Sequence, residues 1–382
     1  MKHKRAQPFR PTFSINFKLL LAAVIWILPF LPMEVGATVL QTFSVPTAPG
    51  SRVMTCYDDV ANIQVACSME AQFVFDEGRL VKTALDDGDY VTLDGIFLRW
   101  CSGKDRFADG TWKLEKYAES LFEMSSRLPQ WEGELKKVIA WQQVKPESVA
   151  AIYAEVVLRR AYAWSIQTHA HGGHTSKESR EIFNERIEKA YLALQKIPEK
   201  SMSCPAWYPI RIAQLSDEHK PAQARKVFEH GVRLHPEYHA IYMAMASVQR
   251  PSLGGSVTQY EAFANESVRL ANRFEGKGMY ARVYSLVDNT AEIPFLPEKA
   301  SFPDWKKLRA GFEDLMKKNP YSYRIMNTYA AVACRSGDGR LYRRLRGMIR
   351  GNVYEHMYHV IPLESCDRRH NWRPDPRDPV TN

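Results

Sequence analysis

The sequence predicts an all-α protein of stacked antiparallel αα-hairpins, a degenerate tetratricopeptide-like solenoid. Three observations point there. From Gln72 onward apolar residues recur at three- and four-residue steps, the period of a helix with one buried face, and strand-like alternation nearly vanishes. The breaks between periodic stretches are short and built of turn chemistry such as Asp87-Gly88-Asp89 and Gly337-Asp338-Gly339. Finally, Tyr208 and Tyr242 stand 34 residues apart, the tetratricopeptide period.

Composition sets the outer bounds. The chain has 382 residues, 45% hydrophobic and 25% charged, which is ample apolar mass for a core and excludes a disordered or collagen-like polymer. A single long apolar stretch excludes a polytopic membrane protein. Net charge is +9, but the first 37 residues carry five basic residues against Glu34 alone, which leaves +5 for the rest. So mild an excess reads as a solvated surface and not as a nucleic-acid footprint.

The N-terminus reads as an export signal. Lys2, Lys4, Arg5 and Arg10 precede an apolar run over 19–32, and Val35-Gly36-Ala37 then supplies small residues for cleavage after Ala37. The run is shorter than the ~20 residues a spanning helix needs, and Pro29 and Pro32 interrupt it. The alternative is an uncleaved inner-membrane anchor over 17–39. Both place the bulk of the chain outside the cytoplasm, periplasmic or secreted.

That address opens the six cysteines to disulfide formation, although six allow 15 pairings. Cys56 and Cys67 bracket a short segment where a staple is useful, and Cys334 and Cys366 flank the C-terminal region. Cys101 and Cys204 lie in apolar helical contexts that suit buried free thiols.

Residues 38–71, rich in Thr, Val, Ser and Pro, read as a linker or extended arm. The helical stretches follow at 73–85, 90–100, 112–125, 131–143, 147–168, 177–197, 206–215, 222–234, 238–248, 260–273, 279–287, 305–317, 321–334 and 341–349. Residues 72–290 form the main helical region, 291–360 a set of C-terminal hairpins and 361–382 a tail without fixed structure. The repeat is clearest from Cys204. Tyr208 takes the large aromatic position, Ala224, Phe228 and Gly231 alternate small and large, and Pro236 ends the pair. A second register runs from Leu308, Phe312 and Leu315 to Pro320.

Several short motifs together resemble an uncharacterised bacterial family, a domain of unknown function with tetratricopeptide-like helices that is often exported. They are Asp94-Gly-Ile-Phe-Leu-Arg99, Arg106-Phe-Ala-Asp-Gly-Thr-Trp-Lys-Leu114, Trp131 with Trp141 and Pro146-Glu-Ser148, Tyr162-Ala-Trp164, and Cys204-Pro-Ala-Trp-Tyr208. Ile241-Tyr242, Leu253-Gly-Gly255, Phe274-Glu-Gly276 and Tyr280-Ala-Arg-Val-Tyr284 extend the pattern, which covers about 72–290. The loop after Trp164 departs from it, reading His169-Ala-His171-Gly-Gly-His174 in place of Arg-Gly with small residues. The resemblance implies the fold and carries no activity.

Candidate chemistry is sparse. His169, His171 and His174 could converge on a metal ion, or could simply cap a helix end as cations. His235-Pro-Glu-Tyr-His239 imitates a metalloprotease motif, but Pro236 breaks the helix that motif needs. Leu253-Gly254-Gly255-Ser256 reads as a turn with Ser256 as helix cap. Arg250, Glu275, Tyr280 and Arg282 either buttress adjacent hairpins as buried pairs or line a groove; buried Arg–Glu pairs that fix helix register favour the first. Trp164, Tyr208 and Tyr242 are core aromatics or, with those four, a binding face. Arg343, Arg346 and Arg350 share a helical face beside Arg344, suited to an acidic partner or anionic lipid.

The expected function is therefore an exported, non-catalytic scaffold for a protein or peptide partner in the bacterial envelope, with no cofactor and no nucleic acid. A periplasmic metal-dependent hydrolase using the histidine loop is one alternative. An anionic-surface binder using the basic C-terminal helix is another. Membrane contact is then limited to the anchor or that helix.

Overall fold

The computed structural model describes residues 43–44, 53–58, 63–124, 131–168, 176–197, 203–288, 293 and 303–373. The signal, its cleavage site at Ala37 and the alternative anchor over 17–39 lie outside these residues, as does the histidine loop. No helix among the described residues is long and apolar enough to cross a membrane.

The chain opens with extended backbone that folds on itself. β1 (Phe43–Ser44), β2 (Val53–Asp58) and β3 (Ile63–Ser68) form an antiparallel sheet in sequence order. Its register sets Cys56 opposite Val65 and Cys67 opposite Met54. The side chains of Cys56 and Cys67, and with them their expected pairing, lie outside the description.

After β3 the regular elements among the described residues are helices. The main region holds α1 (Met69–Asp86), α2 (Tyr90–Ser102), α3 (Lys113–Met124), α4 (Trp131–Val144), α5 (Val149–Thr168), α6 (Lys177–Leu194), α7 (Trp207–Asp217), α8 (Pro221–Leu234), α9 (His239–Val248), α10 (Val257–Glu275) and α11 (Gly278–Ser285). The C-terminal part adds α12 (Trp305–Lys318), α13 (Tyr323–Arg335), α14 (Gly339–Ile349) and α15 (Leu363–Arg369). Starts follow capping chemistry. Asp89, Ser176, Ser256, Asp304, Ser322 and Asp338 each accept a backbone N–H from the first turn of the helix they precede. Ser256 is thus the cap the sequence suggests. Pro221 opens α8, where its missing N–H costs no hydrogen bond.

Neighbouring helices pair: α5 with α6, α7 with α8 and α9, α10 with α11, α11 with α12, and α13 with α14. The residues of the 34-residue register explain the closest approach. Tyr208, Ala224, Phe228 and Gly231 are all buried, and a Cβ at Gly231 would lie 2.8 Å from Tyr208 Cδ1 and 3.2 Å from Ile241 Cδ1. Glycine is what lets α7 and α9 close on α8. Gly231→Val is therefore expected to cost about 1–3 kcal/mol by overpacking, measured as a lower midpoint in denaturant unfolding.

Two expectations need correction. Residues 361–373 are no loose tail: α15 packs back on α13, and Trp372 lies under the Arg346 guanidinium, Cζ 4.0 Å from the ring centre. Nor are Cys101 and Cys204 free thiols. They form a disulfide with Cα atoms 5.0 Å apart that ties the end of α2 to the segment before α7. Apolar surroundings suit a thiol and a disulfide equally, so helical context could not separate them. Cys334 and Cys366 do pair, which clamps α15 to α13. Such pairs persist in oxidising compartments and fit an exported chain.

Candidate functional site

Between α5 on one side and α7 and α9 on the other lies a cavity of about 210 Å³, to whose lining α3 also contributes. Val157, Trp164, Ile210, Ala213, Ala240 and Ala244 are only half-buried although they sit on inward helix faces, because their free surface opens into this space. The walls are apolar. α3 contributes Glu115 and Glu119, α5 contributes Tyr153 and Arg160, and α7 ends in Asp217.

Arg160 and Asp217 form a fixed pair. Arg160 Nε and Nη2 donate to the two Asp217 carboxylate oxygens at 2.8 and 3.2 Å, and the Tyr191 hydroxyl of α6 donates to the same carboxylate. Burial works against the Arg160 charge, but Asp217 and Tyr191 outweigh it and hold the guanidinium charged. Arg160 also lies over Trp164, Cζ 5.8 Å from the ring centre.

Glu115 is the exception in this wall. Its Oε1 is buried with no hydrogen-bond partner. Burial first, then the Glu119 carboxylate, push its carboxyl up to about 8, so that it is a neutral acid at neutral pH.

Of the binding residues expected from sequence, the structure brings only Trp164 to the cavity. Tyr208 packs on Gly231, and the buried Tyr242 hydroxyl donates to the Pro236 carbonyl at 2.8 Å. Tyr280 and Tyr284 both donate to Glu261 Oε2 at 2.7 Å. Arg250 is fully buried at 0% exposure, and its carbonyl accepts from Leu253 and Gly255 in the following turn. Glu275 and Arg282 are buried as well. His239 Nε2 lies 2.7 Å from Glu275 Oε1, while Arg282 Nε donates to Oε2 at 3.1 Å. These residues therefore brace the hairpins from inside and present no common face.

The basic C-terminal helix is likewise split. Arg340, Arg343 and Arg344 are exposed, but Arg346 turns inward to donate to Asp367, with Nε at 3.1 Å. The expected Arg343–Arg346–Arg350 face does not form, because α15 docks where Arg346 points. Among the described residues no group of three His, Cys, Asp or Glu is placed to hold a metal ion; His169, His171 and His174 lie outside them.

Sequence reasoning missed Glu115, Arg160 and Asp217. The available signal was in α5, where Glu155, Arg159 and Arg160 interrupt the apolar run of a twenty-residue helix. No family model, curated protein or solved structure matches this chain.

Proposed function

We propose that this chain is an exported, non-catalytic helical-hairpin protein that holds a segment of another polypeptide in the bacterial envelope. The segment lies in the groove along α5, α7 and α9. The observation that carries the reading is the cavity itself, with the small side chains Ala213, Ala240 and Ala244 leaving room on its α7 and α9 side. α5 and α7 open the pairs α5–α6 and α7–α8, and α9 packs on α7, so that all three line the cavity. Each hairpin then adds contact area without a preorganised acid–base pair. The disulfides fit export.

Filling the groove tests this. Peptides selected by display on the purified protein should lose at least tenfold in affinity for Ala213→Trp, measured by titration calorimetry. Arg344→Glu, on the exposed face of α14, should leave their binding unchanged. Equal affinity for wild type and Ala213→Trp would remove the groove as the binding site.

A further inference from the structure

The cavity has a chemical bias that its small side chains do not explain. Its lining holds three carboxyl groups, Glu115, Glu119 and Asp217, against one guanidinium, and that guanidinium is already engaged by Asp217. Glu119 has Lys116 Nζ at 3.5 Å, but Lys116 is not part of the lining. Among the described residues no cation lies within salt-bridge distance of Glu115. Its neighbours in charge are Glu119 one turn along α3, Arg282 of α11, and Asp109 and Arg106 of the loop before α3, with the Tyr153 and Tyr238 hydroxyls also within its field. Tyr153, Trp164 and Tyr238 add aromatic walls, whose faces attract cations.

We propose that the cavity selects an alkylammonium group, seating an apolar stem between α5 and α7 and the ammonium beside Glu115 and Glu119. This deepens the groove reading by assigning the chemistry of the occupant. A lysine side chain of the bound segment and a free alkyl diamine share that chemistry. Size agrees: a cavity of ~150 Å³ holds benzene, and one of about 210 Å³ takes a four- or five-methylene stem.

Binding carries a proton cost with a defined sign. Glu115 is neutral below about 8, and an ammonium beside it favours the carboxylate, so its proton leaves to solvent while the ammonium keeps its own. Alkylammonium affinity should rise about tenfold per pH unit from 6 to 8 and flatten above, where the carboxyl is already ionised and the amine, near 10.4, is still charged.

Titration calorimetry on the full chain reads this directly, with 1,5-diaminopentane and Nα-acetyl-lysine amide as ligands. 1-Pentanol and pentanoate are stem-matched controls. Both amines should bind at least tenfold more tightly than either control. Their heats in buffers of different ionisation enthalpy should report release of nearly one proton at pH 7. Glu115→Gln should lower amine affinity at least tenfold at pH 8 and abolish the pH dependence. Should that variant fold poorly by circular dichroism, Glu119→Gln carries the test, weakening amine binding while keeping a pH step. Pentanol binding as tightly as the diamine, or unchanged amine affinity in both variants, would overturn the inference. Tighter binding of the lysine amide assigns the occupant to a polypeptide. Tighter binding of the diamine upholds the ammonium site while removing the peptide reading, so the two proposals fail separately.

Discussion

Glu275→Ala is expected to destabilise the protein by about 3–5 kcal/mol, because it removes the carboxylate to which the buried Arg282 guanidinium is hydrogen-bonded. Glu275 accepts from Arg282 Nε at 3.1 Å and pairs with His239 Nε2 at 2.7 Å, with Arg106 Nη1 4.0 Å away. Arg282 reaches on to the Asp109 carbonyl at 2.6 Å, and Gly110 is required beside it, since a Cβ there would meet Arg282 Nη2 at 2.8 Å. The network thus joins α9, α10 and α11 to the loop that precedes α3. Burial opposes the Glu275 charge, yet Arg282 and His239 hold its carboxyl far below the ordinary 4.5. Burial, then Arg282, push His239 below 6.5 and keep it neutral.

Both shifts have the same consequence for pH. A depressed folded-state value means the unfolded chain binds more protons, so stability is full at higher pH and falls as pH drops. The His239 part is lost below about 6.5 and the Glu275 part from 4.5 downward. Urea unfolding should show the Glu275→Ala penalty in full at pH 7 and a smaller one below pH 4. Because an ion pair replaced by well-packed apolar residues is often near neutral, Glu275→Leu with Arg282→Met should cost less than the two single changes added together. A single-mutant loss below about 1 kcal/mol would show that these charges do not brace the hairpins.

How far the sequence anticipates this molecule depends on the range of the interaction that decides each feature. Helices with a full apolar stripe were legible, as in α8, where Ala224, Phe228 and Gly231 fall on the buried face. α15 was not. Its seven residues, Leu363–Arg369, are too short and too charged to show a period, and what orders them is the disulfide to Cys334 and the insertion of Arg346 over Trp372. The strands β2 and β3 were legible only as extended chain, since pairing depends on register and not on composition. In the site, Trp164 announced itself as a large aromatic. Glu115 did not, because beside Lys113, Lys116 and Glu119 it looks like one more solvent-facing charge. Only the packing of α5 against α3 turns it inward. Arg250, Glu275 and Arg282 carried both readings until their burial decided for bracing.

Removing the Cys101–Cys204 bridge, as Cys101→Ala with Cys204→Ala, is expected to cost about 4–5 kcal/mol, the chain-entropy value for a closed loop of ~100 residues. The two cysteines are 103 residues apart, against 32 for Cys334 and Cys366, whose loss should cost about 3–4 kcal/mol on the same reasoning. The ordering matters as much as the size, because the longer loop encloses α3, α4, α5 and α6. Its bridge fixes where α7 begins relative to α2, and α7 carries Ile210, Ala213 and Asp217 along the cavity wall. Opening this disulfide should therefore weaken the groove as well as the fold, while opening the C-terminal one should affect stability alone. Denaturant unfolding of the two double variants, paired with diaminopentane titration of each at a temperature where both stay folded, separates these effects. If both variants lost equal stability and bound the amine like wild type, the bridge at Cys101 would be a staple without influence on the site, and the position of α7 would have to be credited to Tyr208 and Gly231 instead.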